Sequence, residues 1–200
     1  MSNNENIKIT FPDGNSKEFP KGTSSLDIAR SISKGLAEDV LVAEVNGKLV
    51  DLVKPLNEDS SVKFYKFGDE EGRKVYWHTT SHIMAQAVEE LFPGAKFGVG
   101  PPIENGFYYD VDSEHRFTDE DLVKIEARML EIAKRDLVTK REELKREDAI
   151  AYFKSKRVDP YKVEILEDIA KNEEYVSLYH QGGFTDLCRG PHMPTTAKLK

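Results

Sequence analysis

Ile7, Ile9 and Phe11 alternate with Lys8 and Thr10 near the start of the chain, the period-two pattern of a strand with one buried face. Pro12-Asp13-Gly14-Asn15 is a run of turn residues, so Lys17–Phe19 is expected to return as a hairpin partner. Thr23, Ser24 and Ser25 offer N-caps for a helix starting near Leu26. Leu26, Ile28, Ala29, Ile32 and Leu36 fall on one side of that helix, opposite Asp27, Arg30, Ser31 and Lys34. Val40–Val45 predicts an apolar strand, Asn46-Gly47 a two-residue hairpin turn, Lys48–Val53 the return and Val62–Phe67 a last strand. The order β-β-α-β-β-β predicts a small mixed sheet with one helix across it, the look of a ubiquitin-like fold.

Residues 68–72 hold nothing apolar to bury and read as a linker. Beyond them His78–Phe92 is helical by pattern, with Pro93-Gly94 as the stop. Lys96–Val99 and Gly106–Val111 are expected strands. Thr118, with Asp121 at capping-box spacing, is expected to open a long helix whose buried stripe is Leu122, Ile125, Met129, Ile132 and Ala133. The charge run from Lys134 to Asp148 mixes both signs and predicts a solvated helix face in preference to an RNA site. The expected class is α+β, with one domain over residues 1–67, a linker over 68–72 and a second domain over 73–200.

Composition narrows the field. The 200 residues allow one ordinary domain or two small ones, and apolar residues recur along the whole chain, which argues against disorder. Lys and Arg number 29 against 36 Asp and Glu, a net charge of −7, so bulk electrostatics do not draw this chain to nucleic acid; RNA contact needs a local patch. No apolar run approaches the ~20 residues that cross a bilayer, and MSNNENIKIT lacks the pattern of a secretory leader. The single cysteine excludes an internal disulfide and fits a reducing compartment. A soluble, cytoplasmic protein is expected.

Residues able to do chemistry are few. His78 and His82 are four apart, which on a helix stacks both imidazoles on one face, beside the apolar arc of Ile83, Met84, Ala87, Val88 and Leu91. A zinc-protease helix needs Glu directly after the first His; Thr79 stands there, which argues against that activity. The second cluster is Asp186-Leu187-Cys188-Arg189-Gly190-Pro191-His192, preceded by Gly182-Gly183, a punctuation that suits a strand and tight turn. His78, His82, Cys188 and His192 are the ligand types of a tetrahedral zinc site and equally the lining of a metal-free pocket; spacing alone does not separate the two. His115 and His180 read as ordinary polar residues.

His78-x-x-x-His82, followed by a distant Cys188-x-x-x-His192, resembles the editing domain shared by threonyl- and alanyl-tRNA synthetases. Gly98-Val99-Gly100-Pro101, Asn105-Gly106-Phe107-Tyr108-Tyr109-Asp110 and the Asp186–His192 segment resemble the bacterial threonyl enzymes in particular, and the first unit is similar to the small TGS domain (a β-grasp) that precedes editing there. The resemblance implies a fragment, with the last elements of the editing domain expected beyond Lys200. It implies hydrolysis of the serine ester of tRNA(Thr), with the tRNA acceptor end as partner and no membrane. His78 would be a water-orienting base and Lys162 a positive charge near the ester; Tyr109 and Asp186 would contact the substrate; His82, Cys188 and His192 would shape the pocket. No cofactor is implied for this fragment; ATP, magnesium and zinc are expected of the parent's catalytic core, through which the parent would dimerise. Two alternatives stay open: a zinc-dependent deacylase of the alanyl type, and a non-catalytic tRNA-binding module.

Overall fold

The alternating residues at the start form β1 (Asn6–Thr10), which pairs antiparallel with β2 (Ser16–Pro20) in the register Ile7↔Phe19. This is seen in a computed structural model that describes residues 5–200; the first four residues of the start read as leaderless lie outside the described part. Ser24 caps α1 (Ser25–Ile32) by accepting the Asp27 N–H. The single helix expected out to Leu36 breaks at Ser33, whose backbone is extended and whose hydroxyl accepts the Leu36 N–H to start α2 (Lys34–Asp39). A serine offers the backbone this alternative partner, and Ile32, expected on the buried side, is 50% exposed as a result.

Asn46 and Gly47 take φ of 50° and 78°, the left-handed pair that a tight hairpin turn needs, and join β3 (Val40–Val45) to β4 (Lys48–Val50). β5 (Ser60–Lys66) completes a five-stranded sheet of order β2-β1-β5-β3-β4, in which β1 and β5 are parallel. Ile7, Ile9, Ile28, Val40, Leu52 and Leu56 form its core with the helix. The mixed sheet with helix expected from the sequence is borne out.

α3 (Glu70–Leu91) starts inside the segment read as a linker. Glu70 and Glu71 have nothing apolar to bury, but their charges favour the positive end of a helix, so the composition that looked like a linker suits a first turn. Gly72 is needed there: a Cβ would sit 1.9 Å from the Lys66 carbonyl oxygen. The chain divides into two units, residues up to Tyr76 with Gly190–Pro194, and Trp77–Arg189 with Thr195–Lys200, so the division falls within this helix.

In the second unit the two strands expected between residues 96 and 111 are four two-residue pieces. β6 (Lys96–Phe97) pairs with β9 (Val111–Asp112), and β7 (Pro102–Ile103) with β8 (Gly106–Phe107). The Thr118–Asp121 capping box opens α4 (Asp119–Lys134) as expected. Ile125, Ile132 and Ala133 are buried, whereas Leu122 is 59% exposed.

The charge run is corrected too. It is no single helix face: part of it is β10 (Thr139–Lys145), the outer strand of an antiparallel sheet with β11 (Tyr175–Gln181) and β12 (Phe184–Leu187), and α5 (Arg146–Ser155) follows. A strand with one neighbour tolerates charge and is protected by it from further pairing. Ala149 and Phe153 of α5 pack against Val176 and Leu178 of β11, while Ile83 of α3 and Ile132 of α4 share a core with Phe184 of β12. The second domain is thus α+β, helices on an antiparallel sheet. No helix among the described residues is long and apolar enough to cross a membrane.

Candidate active site

α3 places the His78 and His82 rings one turn apart, 5.3 Å between centroids and edge to face. Ser81, between them, reaches the His78 carbonyl at 2.7 Å and the Gly100 carbonyl at 3.0 Å, tying the helix to the segment before β7. His82 is buried, and burial pushes its pKa down to about 3; the Asp186 carboxylate pulls it up, while His78 and Lys162 push further down. Its imidazole is therefore neutral at physiological pH.

Asp186 stands near the end of β12 and Cys188 directly after it, and the alternation of extended chain sends both side chains to one face. Ser177 of β11 fixes Cys188 twice: its hydroxyl donates to the Cys188 carbonyl at 2.6 Å, and its own carbonyl accepts the Cys188 N–H at 3.1 Å. The Cys188 Sγ lies 3.1 Å from His78 Nε2 across 110 residues of chain.

Lys162, only 2% exposed, stands on the short helix α6 (Pro160–Glu164). Its ammonium donates to the Gly98 carbonyl at 2.6 Å, pairs with Asp186 Oδ1 at 2.7 Å and lies 3.3 Å from the Tyr109 hydroxyl. The Tyr109 hydroxyl donates to Asp186 Oδ2, which is also 3.6 Å from His82 Nε2. Burial opposes ionisation of Asp186, but Lys162 first and His82 after it hold the carboxyl below the usual range. Burial and then the Asp186 charge raise the Tyr109 phenol well above its ordinary value, so it stays a donor.

Three positions to which the sequence reading gave no role hold this arrangement. Asp159 is buried and caps α6, accepting the N–H of Tyr161 at 3.1 Å and of Lys162 at 3.5 Å on one oxygen, and the Phe97 N–H at 3.1 Å on the other. Gly100 makes room for Tyr109, because a Cβ there would lie 2.3 Å from its ring. Ser177 holds Cys188. Asp159-Pro160 did carry a signal, an N-cap followed by proline at the first helical position.

His78, His82, Tyr109, Lys162, Asp186 and Cys188 all line one cavity of about 730 Å³. His192 is buried in the Gly190–Pro194 segment grouped with the first unit, where its N–H donates to Asp51 at 2.8 Å. His115 contacts Asp121 at 2.7 Å, and His180 sits between Thr185 and Glu142; neither lines the cavity. The ligand atoms of His78, His82 and Cys188 lie within 4.8 Å of one another, so a nitrogen-and-sulfur donor set is present for a metal.

Two families match the chain: the TGS domain over residues 7–66, and the threonyl and alanyl tRNA synthetase second additional domain over residues 176–200. The first match spans the five-stranded sheet of the first unit, and the second spans β11, β12 and the residues after them. In particular, the chain is similar throughout to the N-terminal region of threonine–tRNA ligases. It is 56% identical over 200 residues to that of Chloroherpeton thalassium, 57% over 204 to that of Pelodictyon phaeoclathratiforme and 59% over 194 to that of Chlorobium limicola. These alignments cover 97–100% of this chain and 30–31% of each ligase. The chain thus spans about a third of the length of the curated relatives it matches, and the resemblance read from its motifs is borne out.

Proposed function

We propose that the cavity hydrolyses the ester joining serine to the terminal ribose of tRNA(Thr), as the proofreading portion of a threonine–tRNA ligase. The observation that carries this is the convergence of His78, Lys162, Tyr109, Asp186 and Cys188 on one cavity in a chain so similar to those ligases. The need for it is physical. Serine is threonine less one methyl, and a threonine pocket rejects it by only ~10–200-fold, so a second site that admits the smaller ester is required. Water adds to the ester carbonyl, the bond to the ribose oxygen breaks, and serine leaves as the ribose regains its hydroxyl. His78 orients that water and takes its proton; imidazole exchanges protons near neutral pH. Lys162 supplies positive charge where the oxyanion develops. His82, as a neutral group, and Cys188 shape the pocket, with His192 four residues beyond Cys188 in the chain. Tyr109 contacts the seryl group or terminal adenosine. Asp186 already accepts from Lys162, Tyr109 and the Leu187 N–H, so we assign it to fixing those side chains; direct contact with the substrate, the role the resemblance implies, would have to share a filled carboxylate.

On this reading the parent enzyme attaches threonine to tRNA(Thr) with ATP in the cytoplasm. Its catalytic core, with magnesium, zinc and the dimer interface, lies in the part of the ligases that this chain does not span. The test is incubation with seryl- and threonyl-tRNA(Thr): the seryl ester alone should be lost, and His78→Ala should slow that loss by about 100-fold or more. Binding of seryl-tRNA without turnover would overturn it in favour of a tRNA-binding module.

One observation favours a second reading, a zinc-dependent deacylase. Zinc at its usual bond lengths holds a nitrogen and a thiolate about 3.5 Å apart, close to the 3.1 Å between His78 and Cys188. Zinc there would be held by His78, Cys188 and His82 and would supply an acidified water. Stoichiometric zinc in the purified protein, with activity lost on chelation, would establish it.

A further inference from the structure

The outer wall of the cavity has no part in the chemistry above. β10 and β11 pair so that Arg141 lies opposite Tyr179, Glu143 opposite Ser177 and Lys145 opposite Tyr175. Residues opposite one another share a face, and so do alternate residues of a strand. Because Ser177 bonds Cys188, the residues Tyr175, Arg141, Glu143 and Lys145 all belong to the cavity face of this sheet. Arg141, Glu143 and Tyr175 line the cavity itself, as do Ile169, Glu173 and Arg189. Tyr175 is 49% exposed and Ile169 70% exposed, an uncovered aromatic and aliphatic pair beside a polar site.

The charges decide what such a wall accepts. Arg141 pairs with Glu143 at 2.9 Å and Arg189 with Glu173, both at the surface. Exposed pairs of this kind hold little free energy in water, and a phosphate offers guanidinium a bidentate partner in exchange. Lys145 adds a third cation against the two carboxylates Glu143 and Glu173, which leaves this wall a small positive excess in a chain of net charge −7. Aromatic side chains flanked by arginine and lysine on a sheet face suit unstacked bases and their phosphates.

We propose that this wall is a platform for single-stranded RNA on the 5′ side of the esterified nucleotide, with Tyr175 and Ile169 receiving a base and Arg141, Lys145 and Arg189 its flanking phosphates. This extends the proofreading reading and rests on it for the position of the ester. It also returns an RNA contact to part of the charge run that the sequence pattern assigned to solvent.

Two measurements on the full chain test it. The first is binding of an uncharged RNA ending in the tRNA acceptor sequence, followed by fluorescence anisotropy. Tyr175→Ala should weaken binding roughly tenfold or more, Tyr175→Phe should restore it, and Arg189→Ala should flatten the salt dependence. The second compares hydrolysis of seryl-tRNA with that of seryl-adenosine, which has no preceding nucleotide. Tyr175→Ala should raise KM for the tRNA with kcat unchanged and leave seryl-adenosine untouched. Wild-type RNA affinity in Tyr175→Ala, or equal loss on both substrates, would overturn the platform. Tyr175-dependent binding without any turnover would remove the esterase and keep the platform; turnover indifferent to Tyr175 would do the reverse.

Discussion

The two units of this chain spend their buried positions differently. In the first, the core is aliphatic and aromatic, and the buried polar residues among those described are Ser25, Ser60 and, in its Gly190–Pro194 segment, His192. In the second, Lys162, Asp186, Asp159 and Asp121 are all buried, together with His82, Gln86 and Gln181. Replacing a buried ion pair by well-packed apolar side chains is often neutral or stabilising, so burying charge is a poor way to gain stability. The concentration of ionisable groups in the second unit therefore marks where the chain trades stability for chemistry, and the first unit shows what it does where it need not.

Breaking the pair on one side only gives the largest effect. Lys162→Met leaves Asp186 buried without its cation, which should cost about 3–5 kcal/mol by denaturant unfolding and lower seryl-tRNA deacylation by roughly 100-fold or more. Loss of stability with unchanged turnover would make the pair structural and end its place in the mechanism. The matching change in the first unit is Ile9→Ala. Ile9 is fully buried, so about 2–5 kcal/mol should be lost to the cavity left behind, with the deacylation rate of the folded protein unchanged. A parallel fall in rate would refute the division of labour.

The same contrast explains what could be read in the sequence. Ile7, Ile9, Phe19 and the Asn46-Gly47 turn report local periodicity and local backbone need, so the first sheet was legible down to its hairpins. Ser33 broke the helix pattern because a single hydroxyl competed with it. In the second unit His78 and His82 were visible as a pair, but what surrounds them was not: Lys162 Nζ meets the Gly98 carbonyl across 64 positions, and nothing in Asp159-Pro160-Tyr161-Lys162 says that its lysine is buried. Only the family resemblance raised Lys162, Tyr109 and Asp186 above ordinary lysine, tyrosine and aspartate. The charge run misled for the same reason, since an edge strand and a helix can carry the same mixture and only pairing with Tyr175–Gln181 distinguishes them.

pH separates the units next. His82 carries a folded pKa of about 3 against an ordinary value near 6.5, because burial disfavours the imidazolium. Above pH 6.5 it is neutral folded and unfolded and contributes nothing to the pH dependence. Below that the unfolded chain takes up a proton that the folded chain refuses, so stability falls as pH drops from about 6.5 toward 3, by up to about 1.4 kcal/mol per pH unit. Asp186, with its lowered pKa, steepens the loss below about 4 as its pairing with Lys162 is protonated away. Urea unfolding between pH 6.5 and 4.5 should show the slope, and His82→Gln should lack it. An unchanged slope in that variant would place the acid sensitivity elsewhere.

The smallest difference in stability is the sharpest test of the comparison. Ser24 caps α1 by accepting the Asp27 N–H in the first unit, and Asp159 caps α6 by accepting the N–H groups of Tyr161 and Lys162 in the second. As caps they are equivalent, and Ser24→Ala or Asp159→Ala should each cost about 1 kcal/mol. Their surroundings differ. Asp159 also accepts the Phe97 N–H, one residue before the Gly98 carbonyl that receives the Lys162 ammonium, so a single carboxylate sets both the root of the lysine and the place where its tip lands. Asp159→Ala should therefore slow deacylation by roughly tenfold, about 1.4 kcal/mol in the barrier, where Ser24→Ala leaves it unchanged. Single-turnover rates under conditions where both variants are folded would show it, and equal rates would reduce Asp159 to a helix cap.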